Sequence, residues 1–441
     1  MTSTSDRPVW PAVPYKFLPE FVSASGTHLV LADGRRVLDA AGQACVSNIG
    51  YGRREVADAI AEAVLNFTHA LPPLATPQRL ELVDRLRRTW LPEQLTRIHL
   101  VNSGSEAAET AIKLARQYHL HRGDERRWKV IGRQSSYHGV TLGALSACGH
   151  TGRRRGFEPL LHDFPLAPAC YPLRCRSCSV TRRCTLACAD AVEATILAAD
   201  PKTVSAFIAE PIVGTSGGAL VPPDDYWQRV QEICQRHGIL LIIDEVITGF
   251  GRTGRRLGLD HFGIKPDIMT AAKGLTGGYA PLGAVIATDA VIEPLMKAGA
   301  DIMFHTFGGH PPTCAAANAV LTILERERLV ERAADYGERL GRRLQDVLGN
   351  HSNVAEVRGR GMLWAVEVVA DRETNTPFPA SRHTTVSIIK AGIERGVFFY
   401  PGGTGDHGDV IVLGPAFTIT EQDIDVMATT LRDSIDAAVA S

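Results

Sequence analysis

Short apolar runs, rich in β-branched residues and closed by glycine or acidic side chains, recur along the middle of this chain. Residues 239–243 (Ile-Leu-Leu-Ile-Ile) lie between Gly238 and Asp244, the pattern of a strand buried on both faces of a parallel sheet. Runs at 97–101, 204–209, 268–272 and 282–287 read the same way, and Val130 and Ile131 begin another. Between them the apolar period lengthens to that of a helix. Ala107, Ala108, Ala111, Ile112 and Ala115 share one face, residues 226–236 form a further helix, and an alanine-rich helix starts at Thr313. Val56, Ile60 and Val64 predict an earlier helix. Residues 80–91 predict another, with Thr76 as its cap and Pro77 in its first turn. Strand and helix alternating between residues 95 and 325 predict an α/β fold, a large, mostly parallel, doubly wound sheet.

After residue 330 the pattern changes. A long charged helix, Leu329–Leu348, leads to short strands near 354–357, 363–369, 397–400 and 410–413, with helices at 384–395 and from Glu421. Strands with helices on one side predict a smaller α+β domain. A hairpin at 26–39, turning at Asp33-Gly34, has no room in the parallel sheet and is assigned to that smaller domain. The expected division is 1–70 as an N-terminal arm plus part of the small domain, 71–325 as the large domain, and 326–441 as the rest of the small one.

Chemistry gathers where the predicted strands end, the edge at which open α/β sheets bind ligands. Asp244 and Glu245 end one strand, Lys273-Gly274 follows another, and Glu210-Pro211 follows a third. A lysine beside buried apolar residues loses its proton readily enough to act as an amine nucleophile. A lysine and a carboxylate at successive strand ends suit pyridoxal phosphate, whose aldehyde forms a Schiff base with the lysine and whose ring nitrogen the carboxylate keeps protonated. Ser103-Gly104-Ser105-Glu106 joins a strand to a helix. That geometry either presents N–H groups to an anion or is an ordinary cap by Ser103 or Ser105. Tyr137-His138 supplies either a ring to stack on a planar ligand or plain packing with a satisfied hydrogen bond.

Composition narrows the rest. The 441 residues carry a formal net charge of −1, so no overall field points to nucleic acid or an anionic membrane. Residues 1–7 are polar, which argues against a signal peptide, and no apolar run is long enough to span a bilayer. Nine cysteines in a chain of this length do not form a secreted disulfide scaffold, and the expectation is a cytoplasmic protein. The arm at 1–20 is punctuated by proline, and its Tyr15 and Phe17 either pack or line a pocket. Residues 150–190 hold Arg153-Arg154-Arg155, then Cys170, Cys175, Cys178, Cys184 and Cys188 among Arg174, Arg176, Arg182 and Arg183. The arginines are expected to be solvated, with a docking patch for an acidic partner or a phosphorylated substrate as the alternative. The thiols are expected to be reduced and free of metal; a zinc site on Cys175, Cys178, Cys184 and Cys188 is the alternative, its second pair being spaced by three residues rather than two.

Taken in order, Ser103-Gly104-Ser105-Glu106-Ala107, Tyr137-His138-Gly139, Glu210-Pro211, Asp244-Glu245-Val246 with the loop 249–254, Ala272-Lys273-Gly274, and Thr306 before Gly309-His310-Pro311 give a chain that resembles the class III aminotransferases over nearly its whole length. The resemblance implies a fold-type I enzyme using pyridoxal phosphate. It implies Lys273 as the Schiff-base lysine, Asp244 on the ring nitrogen, Val246 and Tyr137 on the two ring faces, and Gly104 and Ser105 around the phosphate. Ser103 and Glu210 are counted among the cofactor's neighbours. The family threonine matching Thr306 reaches the phosphate bound by the neighbouring subunit, which implies a homodimer with shared sites.

The departures concern substrate. Where family members acting on γ-aminobutyrate or acetylornithine carry a carboxylate-gripping arginine, Ile411 stands here. The mobile arginine of the pyruvate-dependent group falls near Gly405, and no arginine or lysine lies between Gly396 and Leu431. The gating glutamate is Thr215, the glutamine three residues after the Glu-Pro glutamate is Val213, and Ala44 and Cys45 stand where a tryptophan often narrows the pocket. The expected activity is transfer of an amino group from a primary amine or ω-amino compound, other than γ-aminobutyrate or ornithine, to a 2-oxo acid. The alternatives on the same scaffold are a racemase, epimerase or aminomutase, or a phospholyase.

Overall fold

The strand pairing at the start of the chain brings its two ends together. The computed structural model describes residues 19–175, 184–300, 303–404 and 408–440. Strands β1 (Phe21–Ser25), β2 (His28–Leu31) and β3 (Arg36–Asp39) form an antiparallel ribbon. Its fourth strand comes from the far end of the chain, where Val397 and Phe398 pair in parallel with Leu38 and Asp39. The hairpin thus lies outside the large sheet and pairs with a strand from the C-terminal part.

The large sheet contains β4 (Leu95–Val101), β5 (Lys129–Gln134), β6 (Cys148–Gly149), β7 (Leu166–Ala167), β8 (Val204–Ala209), β9 (Leu240–Asp244), β10 (Ile268–Ala271) and β11 (Gly283–Thr288). Their order is β4-β11-β10-β9-β8-β5-β6, with β7 also on β5. Only β11 opposes its neighbours β4 and β10. Every residue of β8 and β9 is buried, which is why these strands read as continuous apolar runs. Alternate residues serve opposite faces. Leu241 and Ile243 pack with Trp227, Val230 and Ile233 of the helix Tyr226–His237. Leu240 and Ile242 pack with Ala107, Ala111 and Ala115 of the helix Gly104–Leu120. Each such buried Leu or Ile contributes about 1.5–3 kcal/mol, so the sheet is a rigid base for the loops at its edge.

A third sheet contains β12 (Val354–Arg360), β13 (Leu363–Val368), β15 (Tyr400–Gly402) and β16 (Asp409–Leu413), ordered β12-β13-β16-β15, while β14 (Val397–Phe398) is the strand lent to β3. Arg174 leans on this sheet, which corrects the expectation that it is solvated; Arg154 departs from that expectation too, while Arg153 and Arg155 are exposed as expected. Arg174 donates from Nε to Glu367 Oε1 at 3.0 Å, and Arg358 from Nη1 to Glu367 Oε2 at 2.6 Å. A fully buried carboxylate needs cationic donors, and these arginines supply them. Arg154 is likewise structural, donating to the carbonyls of Leu145, Ser146 and Cys148 at 2.9, 2.8 and 3.1 Å.

Several other expectations meet the structure here. The helix expected over 80–91 runs over Pro77–Arg85 and widens into a π-type turn, Leu86–Trp90. Thr76 precedes it, but its buried hydroxyl caps nothing; Pro77 alone sets the start. Tyr15, Phe17, Cys178, Arg176, Arg182 and Arg183 lie outside the described residues. Among the described residues no group of three His, Cys, Asp or Glu side chains could hold a metal ion, and the neighbour of Cys188 is Cys170, with 3.5 Å between the sulfurs.

Gly283 begins β11 opposite Val101, and a Cβ there would collide with the carbonyl of Ser103. Gly283→Ala is therefore expected to cost about 1–3 kcal/mol, read as a lower urea midpoint at unchanged slope.

Candidate active site

The parallel strands of the large sheet deliver their following loops to one edge. Asp244 ends β9 there, is 2% exposed, and has both oxygens engaged. Oδ2 lies 2.7 Å from His138 Nδ1, while Oδ1 accepts the hydroxyl of Thr270 and the N–H of Val246, each at 3.0 Å. A carboxylate only accepts, so Nδ1 of His138 carries the shared proton. Thr270 arrives because β10 pairs with β9 in a register that sets it opposite Asp244. Glu245 points the other way. It accepts Thr248 Oγ1 at 2.6 Å and the N–H groups of Gly258 and Leu259 at 2.9 and 2.7 Å, and burial pushes its pKa up to about 7. Neighbours on a strand face opposite sides, so one carboxylate serves the pocket and the other pins the loop.

Lys273 follows β10 after Ala272 and holds a left-handed φ of 43°. Burial pushes its ammonium pKa down from the usual lysine range; Cys45, Asp244 and Glu210 oppose this, and Arg252 adds to it. A lysine so placed is readier to supply a free amine. Glu210, after β8, is 3% exposed; its Oε1 accepts the N–H of Gly214 at 3.3 Å, and its Oε2 has no partner among the described residues. Burial raises its pKa, with His138 opposing and Asp244 adding to the rise.

After β4, Ser103 Oγ accepts the N–H of Glu106 at 3.1 Å, so the N-cap reading of Ser103 is the observed one. The cap accounts for Glu106 and leaves the N–H groups of Gly104 and Ser105 without an intrahelical acceptor. Ser105 Oγ accepts the N–H of Val140 at 3.2 Å. A Cβ on Gly104 would sit 3.0 Å from Val246 Cγ1 and 3.6 Å from Ala272 Cβ. The helix N-terminus, Val246 and the residue before Lys273 therefore meet at one point. Tyr137 precedes His138, is half-buried, has the Arg153 guanidinium carbon 5.7 Å from its ring centroid, and touches His150 edge-on at 6.2 Å. Thr306 stands apart, exposed in a turn beside the exposed Phe304 and Phe307.

The model of the family described as "Aminotransferase class-III" matches residues 13–435. The chain belongs to the class III aminotransferases. It is 41% identical to the uncharacterized aminotransferase YhxA of Bacillus subtilis (strain 168), covering 93% of this chain and 90% of that one. It is 35% identical to a taurine–pyruvate aminotransferase of Rhodobacter capsulatus, covering 95% and 91%. Among solved structures it resembles an amine transaminase from an uncultivated Pseudomonas species, in its pyridoxal-phosphate-bound form, with a TM-score of 0.89, 32% identity, and coverage of 100% and 99%. As an aminotransferase, the chain moves an amino group from an amine to a 2-oxo acid.

Members of this family use pyridoxal phosphate, and the residues present fit that group. A buried carboxylate stands ready for a ring nitrogen, a helix N-terminus with two free N–H groups for a phosphate, and a lysine held toward its neutral form for an aldehyde. Three contributors to the site escaped the sequence. His138, which reads equally well as packing, orients the carboxylate; Thr270 supplies its second clamp. Asn48 donates from Nδ2 to Gly274 O at 2.9 Å and Phe250 O at 3.3 Å, tying the N-terminal part to the loop of Lys273. A local signal for Asn48 does not exist, because its partners lie 226 and 202 residues away.

Beside Asn48 the backbone of Gly42, Gln43, Ala44 and Cys45 turns left-handed, with φ of 54°, 48°, 63° and 63°. Such a run costs about 1–2 kcal/mol per non-glycine residue. Val46 N donating to Gly42 O at 2.7 Å and the buried Arg252 donating to Cys45 O at 3.4 Å hold it in place. Asn48→Ala would leave two buried carbonyls unpaired, an expected loss of about 1–3 kcal/mol visible in urea denaturation.

Proposed function

We propose that this aminotransferase works with pyridoxal phosphate held as follows: Lys273 on the aldehyde, Asp244 on the ring nitrogen, Val246 and Tyr137 against the ring, Gly104 and Ser105 on the phosphate, with Ser103 and Glu210 completing the surroundings. The observation that carries this reading is the clamped carboxylate of Asp244 at the same sheet edge as the depressed amine of Lys273. Bound there, the cofactor supplies an electron-withdrawing ring that stores the amino group between donor and acceptor. Asp244 keeps a proton on the ring nitrogen, and His138, hydrogen-bonded to it at 2.7 Å, keeps Asp244 aimed. Lys273 Nζ, once freed from the aldehyde, moves the proton at the donor's carbon.

The chain acts as a homodimer, with Thr306 reaching the partner subunit's phosphate. Exposed apolar side chains around its turn, Phe304 and Phe307 with Leu71 and Leu74, support burial of this face by a second copy. The division into a large domain at 71–325 and a small one from 1–70 and 326–441 is likewise proposed, supported by the pairing of β3 with β14. Eight free cysteines among the described residues support a reducing, cytoplasmic setting. Among these residues, no helix is long and apolar enough to cross a membrane.

The donor is a primary amine or ω-amino compound other than γ-aminobutyrate or ornithine. Ile411 lies fully buried in β16, paired with Val366 and Pro401, and its apolar side chain offers a carboxylate no donor. A panel of amine donors with pyruvate and with 2-oxoglutarate tests this; γ-aminobutyrate turned over with 2-oxoglutarate well above other donors would refute it. Donor added without acceptor is expected to collect the cofactor in its amine form, whereas solvent exchange at the donor's α-carbon without transfer, or phosphate release, would point to an isomerase or lyase. Lys273→Ala should lower turnover by about 100-fold or more, and His138→Phe, which leaves a buried carboxylate short of a donor, should weaken cofactor retention in a fluorescence titration and lower the melting temperature of the apoprotein.

A further inference from the structure

An acceptor 2-oxo acid brings a carboxylate into the pocket whatever the donor is, and an anion taken from water needs a cation or several donors facing it. The C-terminal segment that carries this cation elsewhere in the family has no arginine or lysine between Gly396 and Leu431. Most arginines around the sheet edge are already committed. Arg252 donates to the carbonyls of Met362, Pro415 and Cys45. Arg133 lies fully buried beside Tyr226 and Trp227 and donates to Glu210 O. Arg358 and Arg174 share Glu367, and Arg154 holds three carbonyls.

Arg153 differs from all of these. It is exposed, makes no ion pair with a carboxylate among the described residues, and rests its guanidinium 5.7 Å from the ring centroid of Tyr137. Tyr137 is joined directly to His138, which holds Asp244, so this cation stands at the wall of the pocket. The helical turn that carries it, Thr151–Arg154, is tied to the loop after β15. Thr151 Oγ1 donates to Thr404 O at 3.3 Å, and Gly403 N donates to Thr215 O at 2.8 Å. The turn that carries Arg153 is thus tied, through Thr404 and Gly403, to Thr215, the residue standing where the family has its gating glutamate.

Resting on the proposed function above, we infer that Arg153 is the anchor for the acid group of the substrate: the carboxylate of the 2-oxo acid acceptor and, where the donor is acidic, its carboxylate or sulfonate. Its planar fork suits two-point contact with either, and the Tyr137 ring beneath it keeps the guanidinium oriented while it swings between solvent and substrate.

The test uses holoenzyme carrying Arg153→Gln or Arg153→Lys. Arg153→Gln is expected to raise the KM for pyruvate by about 10–100-fold more than the KM for butylamine, as loss of a charged hydrogen-bond pair predicts, with Arg153→Lys recovering part of it. Comparing 3-aminopropanoate with butylamine as donor separates an acid group on the donor from that on the acceptor. Propionate should raise the melting temperature of the unaltered holoenzyme at concentrations that do nothing for Arg153→Gln, while propionamide treats both alike. Equal rises in both KM values, or unchanged propionate stabilisation in Arg153→Gln, would overturn the inference. Failure of the unaltered holoenzyme to take up an amine would instead sink the proposed function, and the propionate measurement, which needs no turnover, still decides Arg153.

Discussion

The carboxylate of Asp244, buried and held from three directions, is the interaction around which the rest of the molecule is arranged. A buried carboxylate left without donors is costly, and here His138, Thr270 and the N–H of Val246 all serve it. Each donor fixes a different piece of the fold. His138 ties the loop after β5 to β9, Thr270 depends on the register of β10 against β9, and Val246 packs against Gly104 at the start of the helix after β4. The loops that bound the pocket are therefore positioned by one charge, and Lys273 stands two residues beyond the strand that carries Thr270.

A second layer of polar contacts holds the chain's two ends against this edge. Asn48 grips the carbonyls around Lys273, while Arg252, buried beneath Phe417, reaches Cys45, Met362 and Pro415. Both use side chains on backbone carbonyls, so their specificity lies in position rather than in residue pairing. The strained left-handed turn at Gly42–Cys45 survives because these contacts surround it. Strain of this kind gathers where a pocket wall needs a shape that regular structure does not provide.

The middle of the chain was legible in sequence because its signals are local. The apolar runs matched β8, β9 and β10 to within a residue or so, since a strand buried on both faces has no polar position to blur its ends. The strand-end residues Asp244, Glu210 and Lys273 were legible for the same reason. Two arginines of 150–190 were not. Arg154 and Arg174 look alike as solvated charges, yet one is spent on three carbonyls and the other on the buried Glu367. Thr76 misled in the opposite sense: a capping residue in the right place whose hydroxyl found no N–H.

Sequence by itself determined the kind of sheet, the order of its elements, and the acid and amine that end its strands, because periodicity and strand-end chemistry are written in neighbouring residues. Tertiary structure alone decided which of two adjacent carboxylates faces the pocket, that His138 is its partner 106 residues away, and that Arg153 rather than Arg154 stands free over Tyr137. Those outcomes depend on strand register and on the direction in which a side chain leaves its turn, and neither is encoded in the spacing of residues along the chain.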